Sequence, residues 1–276
     1  MAQEGENYYI IKNIQDRWVW YNQSCWMDTF FVNLLAAKES PILDIILKYQ
    51  GNDDLHYFIL KLFYLSRSAN YPKKEVKDKN VKCYTIDDEF RKFLGAKNEE
   101  WFGNERGNPF SAGQTHSVGR IQYLIFRMYG IEFEYSDLNQ NIRNVNKAIS
   151  CLSDIRGKKI TFKDYIENHL KLYKDYDFLV FDCSIYNSFN DIPECFQWGD
   201  DNFFLYSAGI HTGDKENQNA VGHYTSLVYD GLVYHHVNII GDNPVENTST
   251  SSFLEAGRKL PRNATPTFLF YYKLKK

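Results

Sequence analysis

The stretch Gly222-His-Tyr-Thr-Ser-Leu-Val-Tyr-Asp-Gly-Leu-Val-Tyr-His-His-Val-Asn238 predicts a β-hairpin. Two runs of aromatic and β-branched residues stand on either side of Asp230-Gly231, a dipeptide that is typical of tight hairpin turns. His223 begins the first strand and Asn238 ends the return strand. With this turn, residues near 237–238 lie opposite residues 223–224, so the Asn238 amide is expected to reach the His223 ring. We interpret the pair as an imidazole and the residue that orients it.

The sequence around this hairpin predicts an α+β protein with helices first and an antiparallel sheet second. Helical periodicity recurs in Phe30–Leu35, Ile42–Tyr49, Leu55–Leu65, Val118–Met128, Asn141–Leu152 and Phe162–Tyr173. Strand patterns are found in Phe178–Cys183, Phe203–Ala208, Tyr224–Tyr229, Leu232–Val237 and Thr267–Lys273. We expect one domain over residues 1–276, with a helical lobe of about 1–175 and a sheet lobe of about 176–276.

The composition argues against several kinds of partner and site. The chain has 276 residues, with 32 basic and 35 acidic side chains and a net charge of −3, so neither nucleic acid nor an anionic membrane is expected as a partner. No apolar run is long enough to span a bilayer, and no secretory leader is present, which predicts a cytoplasmic protein. Five cysteines is an odd number that argues against a disulfide framework. No Cys-x-x-Cys pair occurs, so no metal site is expected.

Cys25 has the most distinctive setting of the five cysteines. It lies in Asn22-Gln-Ser-Cys-Trp-Met-Asp-Thr-Phe30, directly before an apolar helical pattern. A helix N-terminus favours the thiolate and lowers a thiol's pKa, and its free N–H groups help to bind an oxyanion. The side-chain amides of Asn22 and Gln23 are candidate donors to the same oxyanion hole. The alternative is an inert buried thiol, the interpretation that we give to Cys151 and Cys183.

His223 is the candidate base for this nucleophile. A cysteine nucleophile needs a base to take its proton, and a third group to orient that base. His223 begins a strand directly after Gly222, whose missing side chain is expected to leave room for a substrate backbone. Asn238 is the candidate third group. His235 and His236, on the return strand, are interpreted as structural.

Together these segments resemble the ubiquitin-specific proteases, a family of deubiquitinating cysteine proteases. Asn22-Gln-Ser-Cys-Trp-Met-Asp-Thr29 is similar to the family's cysteine box, usually Asn-Thr-Cys-Tyr-Met-Asn-Ser. Gly209-Ile-His-Thr-Gly213 and Gly222-His-Tyr-Thr-Ser-Leu-Val228 are similar to its histidine box. Tyr234-His-His-Val-Asn238 resembles the segment that carries the third catalytic residue, and Thr267-Phe-Leu-Phe-Tyr-Tyr272 resembles the closing strand.

The resemblance implies a papain-like fold and a Cys-His-Asn triad that cuts after the C-terminal glycine of ubiquitin or a ubiquitin-like modifier. Cys25 attacks, His223 accepts the proton and Asn238 orients the ring. Gly213, Gly222 and Tyr224 line a narrow cleft for the modifier's tail. No cofactor is implied, and a monomer is expected. Residues 40–175 match no family segment, the family's paired Cys-x-x-Cys zinc ribbon is absent, and Ile239 replaces an Asp that often follows the third residue.

Other functions remain open at the level of sequence. A transglutaminase-like acyltransferase uses the same thioester chemistry and also combines a Cys-Trp pair with a strand-borne histidine. A viral cysteine protease that processes a polyprotein would act in the host cytoplasm or the virion. A catalytically silent module that binds a ubiquitin-like protein is an alternative from another class.

Overall fold

The computed structural model describes residues 8–18, 23–68, 86, 88–103, 108–111, 118–131, 162–168, 177–182, 188–213, 222–239 and 250–274. The helices in these ranges are α1 (Tyr8–Arg17), α2 (Cys25–Leu35), α3 (Pro41–Lys48), α4 (Asp54–Arg67), α5 (Asp88–Phe102), α6 (Val118–Met128), α7 (Phe162–Asn168) and α8 (Phe253–Lys259). The strands are β1 (Phe178–Asp182), β2 (Cys195–Trp198), β3 (Asp201–Thr212), β4 (His223–Tyr229), β5 (Tyr234–Val237) and β6 (Ala264–Lys273).

The six strands form one antiparallel sheet. Five of them follow the order β1-β6-β3-β4-β5, and β2 pairs with the beginning of β3. The long strand β3 is central, since it pairs with β6 on one side and with β4 on the other. Thr212 lies opposite His223 at the end of the β3–β4 ladder, so the candidate base stands where the sheet ends.

Alternating side chains of the sheet enter two separate cores. On β6, Phe268 and Phe270 pack into a core shared with α1–α6, whereas Leu269 and Tyr271 point into a second core on the opposite face. The second core is covered by α7 and α8, which contribute Phe162 and Phe253. This alternation is the period-two pattern of a strand buried on both faces. The described elements therefore form helices on both sides of one sheet.

The α+β class predicted from the sequence is confirmed, and the boundary between the two halves is corrected. Helix α8 lies inside the region expected to be all sheet, between β5 and β6. Helix α7 begins at Phe162 as expected but packs with α8 on the second core, on the face of the sheet opposite α1–α6. The helix predicted at Asn141–Leu152 lies outside the described residues, as does the end of the one predicted at Phe162–Tyr173. The predicted strands are present, and β3 is longer than its predicted segment.

The hairpin of β4 and β5 is present, but its turn and register differ from the prediction. Tyr229 pairs with Tyr234, so four residues form the turn where two were expected. Asp230 explains the wider turn, because its Oδ1 accepts hydrogen bonds from the backbone N–H groups of Leu232 and Val233 at 2.8 and 2.9 Å. Ser226 consequently lies opposite Val237, and Asn238 follows the last ladder pair.

None of the described helices combines the length and apolar character that crossing a membrane requires.

Candidate active site

A small cavity between α2 and the hairpin brings Cys25 and His223 together. Cys25 is the first residue of α2 and His223 is the first residue of β4, and α2 packs across β4 and β3. Residues separated by most of the chain therefore share one cavity. Its walls are formed by Cys25, Asp28 and Thr29 of α2, by His223, Tyr224, Thr225 and Ser226 of β4, and by Val237 and Ile239 at the end of β5.

His223 is held in one tautomer by Asn238. Its Nε2 lies 2.9 Å from Asn238 Oδ1, and a carbonyl oxygen only accepts, so Nε2 carries the proton. Nδ1 is then the unprotonated nitrogen, and this atom is buried without a hydrogen-bond partner among the described residues. Burial lowers the pKa of His223 below its ordinary value, while the hydrogen bond with Asn238 raises it. The result is a neutral imidazole whose basic nitrogen is unoccupied.

The Cys25 thiol is more buried and less acidic than the sequence predicts. The residue is 8% exposed, and desolvation by burial raises its pKa above the usual value of a cysteine. Hydrogen bonds from the backbone of Tyr224, Trp26 and Cys25 itself lower the pKa, and the charge of Asp28 raises it. The expected effect of the helix N-terminus is present, but burial outweighs it. The prediction of a lowered thiol pKa is therefore wrong for this structure.

No hydrogen bond joins the thiol to the imidazole among the described atoms, because Nδ1 is unpartnered and Nε2 is used by Asn238. A protonated thiol beside a neutral imidazole is the arrangement in which the base removes the proton as the sulfur attacks.

The two glycines of the predicted cleft lie against His211. A Cβ placed on Gly222 would stand 1.8 Å from His211 Nε2, and one on Gly213 would stand 2.7 Å from Cε1 of the same ring. The Tyr224 ring also packs on His211, with 4.7 Å between ring centroids. The space beside Gly222, which the sequence analysis gave to a substrate backbone, is thus filled by an imidazole. The glycines are needed here for that close approach.

Of the two residues predicted to donate to an oxyanion hole, the structure describes Gln23 only. Asn22 lies outside the described residues. Gln23 has a backbone φ of +62°, a left-handed conformation that non-glycine residues seldom adopt, and it lies two residues before Cys25. Its side chain is not among those that line the described cavity. The oxyanion role of both residues stays a prediction.

The histidines that follow on β5 have structural partners. His235 Nε2 lies 2.6 Å from Asp230 Oδ2, which ties the strand to its turn. His236 Nε2 lies 2.9 Å from Thr225 Oγ1, and burial lowers the pKa of His236 to about 4. Both observations agree with the structural interpretation. Of the other cysteines, Cys195 is free and exposed on β2, while Cys83, Cys151 and Cys183 lie outside the described residues.

Asp28 and His211 are the site residues that the sequence analysis missed as candidates. Asp28 follows Cys25 by three residues, the spacing at which two side chains share one helix face. The sequence Cys25-Trp-Met-Asp28 therefore already indicates that the two side chains lie on the same side of the helix. His211 could be placed beside Gly222 only by the β3–β4 register, and no local pattern contains that information.

No cluster of potential metal ligands occurs among the residues that the structure describes.

No model of a known protein family matches the chain, and no curated protein matches it. Among solved structures, the chain is similar to one described as "Crystal structure of an essential yeast splicing factor". The TM-score is 0.46 and the identity 10%, over 95% of this chain and 70% of that chain. A likeness this low assigns neither a fold family nor a function.

Proposed function

We propose that this protein is a thiol-dependent hydrolase that cleaves the peptide or isopeptide bond after the C-terminal glycine of ubiquitin or a ubiquitin-like modifier. The observation that carries the proposal is the shared cavity in which Cys25 meets an imidazole oriented by Asn238. Two of the residue types that thiol hydrolysis requires line this cavity, and the third, Asn238, hydrogen bonds to the imidazole. The resemblance of four sequence segments to the ubiquitin-specific proteases supplies the substrate class.

The proposed reaction begins with a neutral thiol and a neutral imidazole. His223 Nδ1 accepts the thiol proton as the sulfur forms a bond to the carbonyl carbon, which gives a tetrahedral oxyanion. The oxyanion collapses, the C–N bond breaks, and the imidazolium gives its proton to the leaving amine. Water then hydrolyses the thioester, with His223 again as the base. Asn238 keeps Nε2 protonated and the ring in place throughout.

The packing of the helix that begins at Cys25 against the sheet that carries His223 is the arrangement expected of a papain-like fold, which we propose for this chain. The N-terminus of α2 and the first residue of β4 converge at the cavity, and we expect the backbone N–H groups of α2 to face the attacked carbonyl. Tyr224 contributes both its backbone, which hydrogen bonds to the thiol, and a place in the cavity wall.

One observation favours a second candidate, a module that binds the modifier without cutting it. Cys25 is buried and its pKa is raised, which are properties of a structural thiol as well as of a resting nucleophile. Such a module would retain the cavity and lack turnover.

Hydrolysis of a fluorogenic C-terminal amide of ubiquitin tests the proposal. We expect turnover by the unaltered protein, none by Cys25→Ala, and a loss of roughly 10²–10⁴-fold in kcat/KM for His223→Ala. Cys195→Ala is the matched control, since Cys195 is exposed on an edge strand, and it should retain full activity. Equal activity of Cys25→Ala and Cys195→Ala would contradict the proposal, and binding of ubiquitin without turnover by the unaltered protein would favour the module.

A further inference from the structure

Asp28 is a buried carboxyl group in the wall of the cavity that holds Cys25. Its side chain is 2% exposed, and it lies one helical turn along α2 from the thiol. A carboxylate in such a place loses its hydration, so it needs hydrogen bonds or a counter-charge to remain ionised.

Two hydrogen bonds connect Asp28 to the chain that leads to the nucleophile. Trp18 Nε1 donates to Oδ1 at 2.8 Å, and Ser24 Oγ donates to Oδ2 at 2.5 Å. Trp18 directly follows α1, and Ser24 directly precedes Cys25. The carboxyl group therefore joins three parts of the structure: the end of α1, the residue before the nucleophile and the first turn of α2. Ser24 makes no side-chain capping hydrogen bond to α2, and its hydroxyl donates to Asp28 instead.

The charged and titratable groups around Asp28 decide whether it is ionised. Those that face it in the described part of the chain are Cys25 on its own helix, Arg91 from α5 and His223 from β4 across the cavity. Burial raises the pKa of Asp28 to about 7, against the opposing effects of its two hydrogen bonds and of Arg91. The negative charge of Asp28 in turn raises the pKa of Cys25.

We propose that Asp28 is a positioning residue that holds Ser24 and the first turn of α2, and that its negative charge opposes the negative charge that forms on the Cys25 sulfur one helical turn away. The inference rests on the proposed function in taking Cys25 as the nucleophile and, for the positioning role, in using cleavage of the ubiquitin amide as the readout. When the carboxyl group of Asp28 is neutral, the thiol loses its proton more readily. When the carboxyl group is ionised, its charge opposes formation of the thiolate, so the thiol titrates at a higher pH than it would beside a neutral group.

The substitution Asp28→Asn removes the negative charge at this position and keeps groups that can form both hydrogen bonds. In Asp28→Asn, Oδ1 can still accept from Trp18, and Nδ2 can donate to the Ser24 hydroxyl, which also accepts. The variant therefore keeps the shape and both contacts while the charge is lost. Asp28→Ala loses the contacts as well. Asp44→Asn removes an exposed carboxyl group from the neighbouring helix α3 and is the matched control for charge.

The test is the pH dependence of alkylation of Cys25 by iodoacetamide, followed by mass spectrometry of the peptide that contains it. We expect the midpoint to fall by about one pH unit in Asp28→Asn and to stay unchanged in Asp44→Asn. Cys195, which is exposed, is an internal reference whose profile should not move in either variant. An unchanged midpoint in Asp28→Asn, or an equal shift in Asp44→Asn, would overturn the role of the charge.

The positioning role of Asp28 is tested separately, by measuring kcat. With the same ubiquitin amide, Asp28→Ala should lose kcat much more than Asp28→Asn does, while circular dichroism reports whether Asp28→Ala is folded. If Asp28→Ala does not fold, the comparison is made with Ser24→Ala, which removes one of the two contacts and should lower kcat with KM little changed. Equal kcat in Ser24→Ala and the unaltered protein would overturn positioning. Alkylation needs no substrate, so a shifted midpoint in a protein that does not cleave ubiquitin would leave this inference standing and reject the proposed function.

Discussion

At the scale of single residues, the pair His223 and Asn238 determines the proton chemistry of the site. Nε2 donates to Asn238 Oδ1, which leaves Nδ1 as the basic atom. The base must be neutral to accept the thiol proton, and burial holds the pKa of His223 below its ordinary value near 6.5. The imidazole is therefore already neutral at pH 7, and the acid limb of activity should have its midpoint below 6.5.

Asn238→Ala should lower this midpoint further. The hydrogen bond with Asn238 favours the protonated imidazole and so raises the His223 pKa; its removal leaves burial as the larger effect. We expect kcat/KM to fall roughly 10²-fold because the ring loses its fixed orientation, with the acid limb displaced to lower pH. The measurement is kcat/KM for the ubiquitin amide between pH 5 and 8. A limb that stays in place or moves to higher pH would show that Asn238 does not act through His223.

The candidate triad could be predicted from the sequence, since a helix start, a strand start and a hairpin end are all local patterns. The pKa of Cys25 could not, because burial of the thiol depends on how α2 packs against β4, which no local pattern specifies. The position of Asp28 beside Cys25 could have been predicted, because residues three apart share one face of a helix. His211 was not, since its contact with Gly222 follows from strand register alone.

At the scale of elements, the β4–β5 hairpin places Asn238, and Asp230 shapes that hairpin. Asp230 is buried, accepts from two backbone N–H groups and pairs with His235. These contacts make the turn four residues long where the Asp-Gly dipeptide predicts two. The observed register places Asn238 opposite Thr225 instead of His223, and its side chain still reaches the His223 ring two residues away.

Asp230→Ala should lower the free energy of unfolding by about 3 kcal/mol, since it removes the hydrogen-bond partner of the buried His235 ring and leaves two backbone donors unsatisfied. The contacts hold the pKa of Asp230 below its ordinary value, so the stability they contribute is present at neutral pH. That stability is lost as the pH falls through the lowered pKa of the folded state.

Urea denaturation at pH 7 and in acid measures this difference. Asp200→Ala, an exposed aspartate in the β2–β3 turn, is the control and should change stability by less than about 0.5 kcal/mol. A loss of stability in Asp230→Ala that equals that of Asp200→Ala would contradict the role given to the turn.

The sequence predicted the strands better than it predicted several helices. The strands of the second half carry continuous aromatic and β-branched runs. Helix α5 is rich in charge and buries Phe90 and Leu94 on one narrow face, and α8 has only seven residues, although the Ser252 hydroxyl caps it by accepting from the N–H of Glu255. Short or highly charged helices form because they cover a core, so their patterns are weak in the sequence alone.

At the scale of the whole molecule, the sheet carries helices on both faces, and α2 is the element that links the main core to the candidate active site. Phe30 lies at the centre of that packing, with its ring 5.9 Å from that of Phe126 on α6 and 5.8 Å from that of Phe268 on β6. Helix α2 is therefore held by the main core while its first residue faces the cavity.

Phe30→Ala should lower the free energy of unfolding by about 3–5 kcal/mol, because a large side chain with no solvent exposure leaves a cavity. Any loss of activity should follow the loss of folded protein. Tyr57→Ala, at an aromatic residue that is 66% exposed on α4, is the matched control and should be nearly neutral. Thermal unfolding of both variants checks this, and equal midpoints would contradict the packing described for α2.

The central claim is that Cys25 is the nucleophile of a hydrolase for ubiquitin-like tails. Its most direct test is incubation of the protein with ubiquitin and ubiquitin-like probes that carry a thiol-reactive group at the C-terminus, followed by mass spectrometry of the adduct. We predict covalent capture by at least one probe, attached at Cys25, lost in Cys25→Ala and strongly slowed in His223→Ala. Absence of capture by every probe, or capture at another cysteine with Cys25→Ala unaffected, would contradict the account.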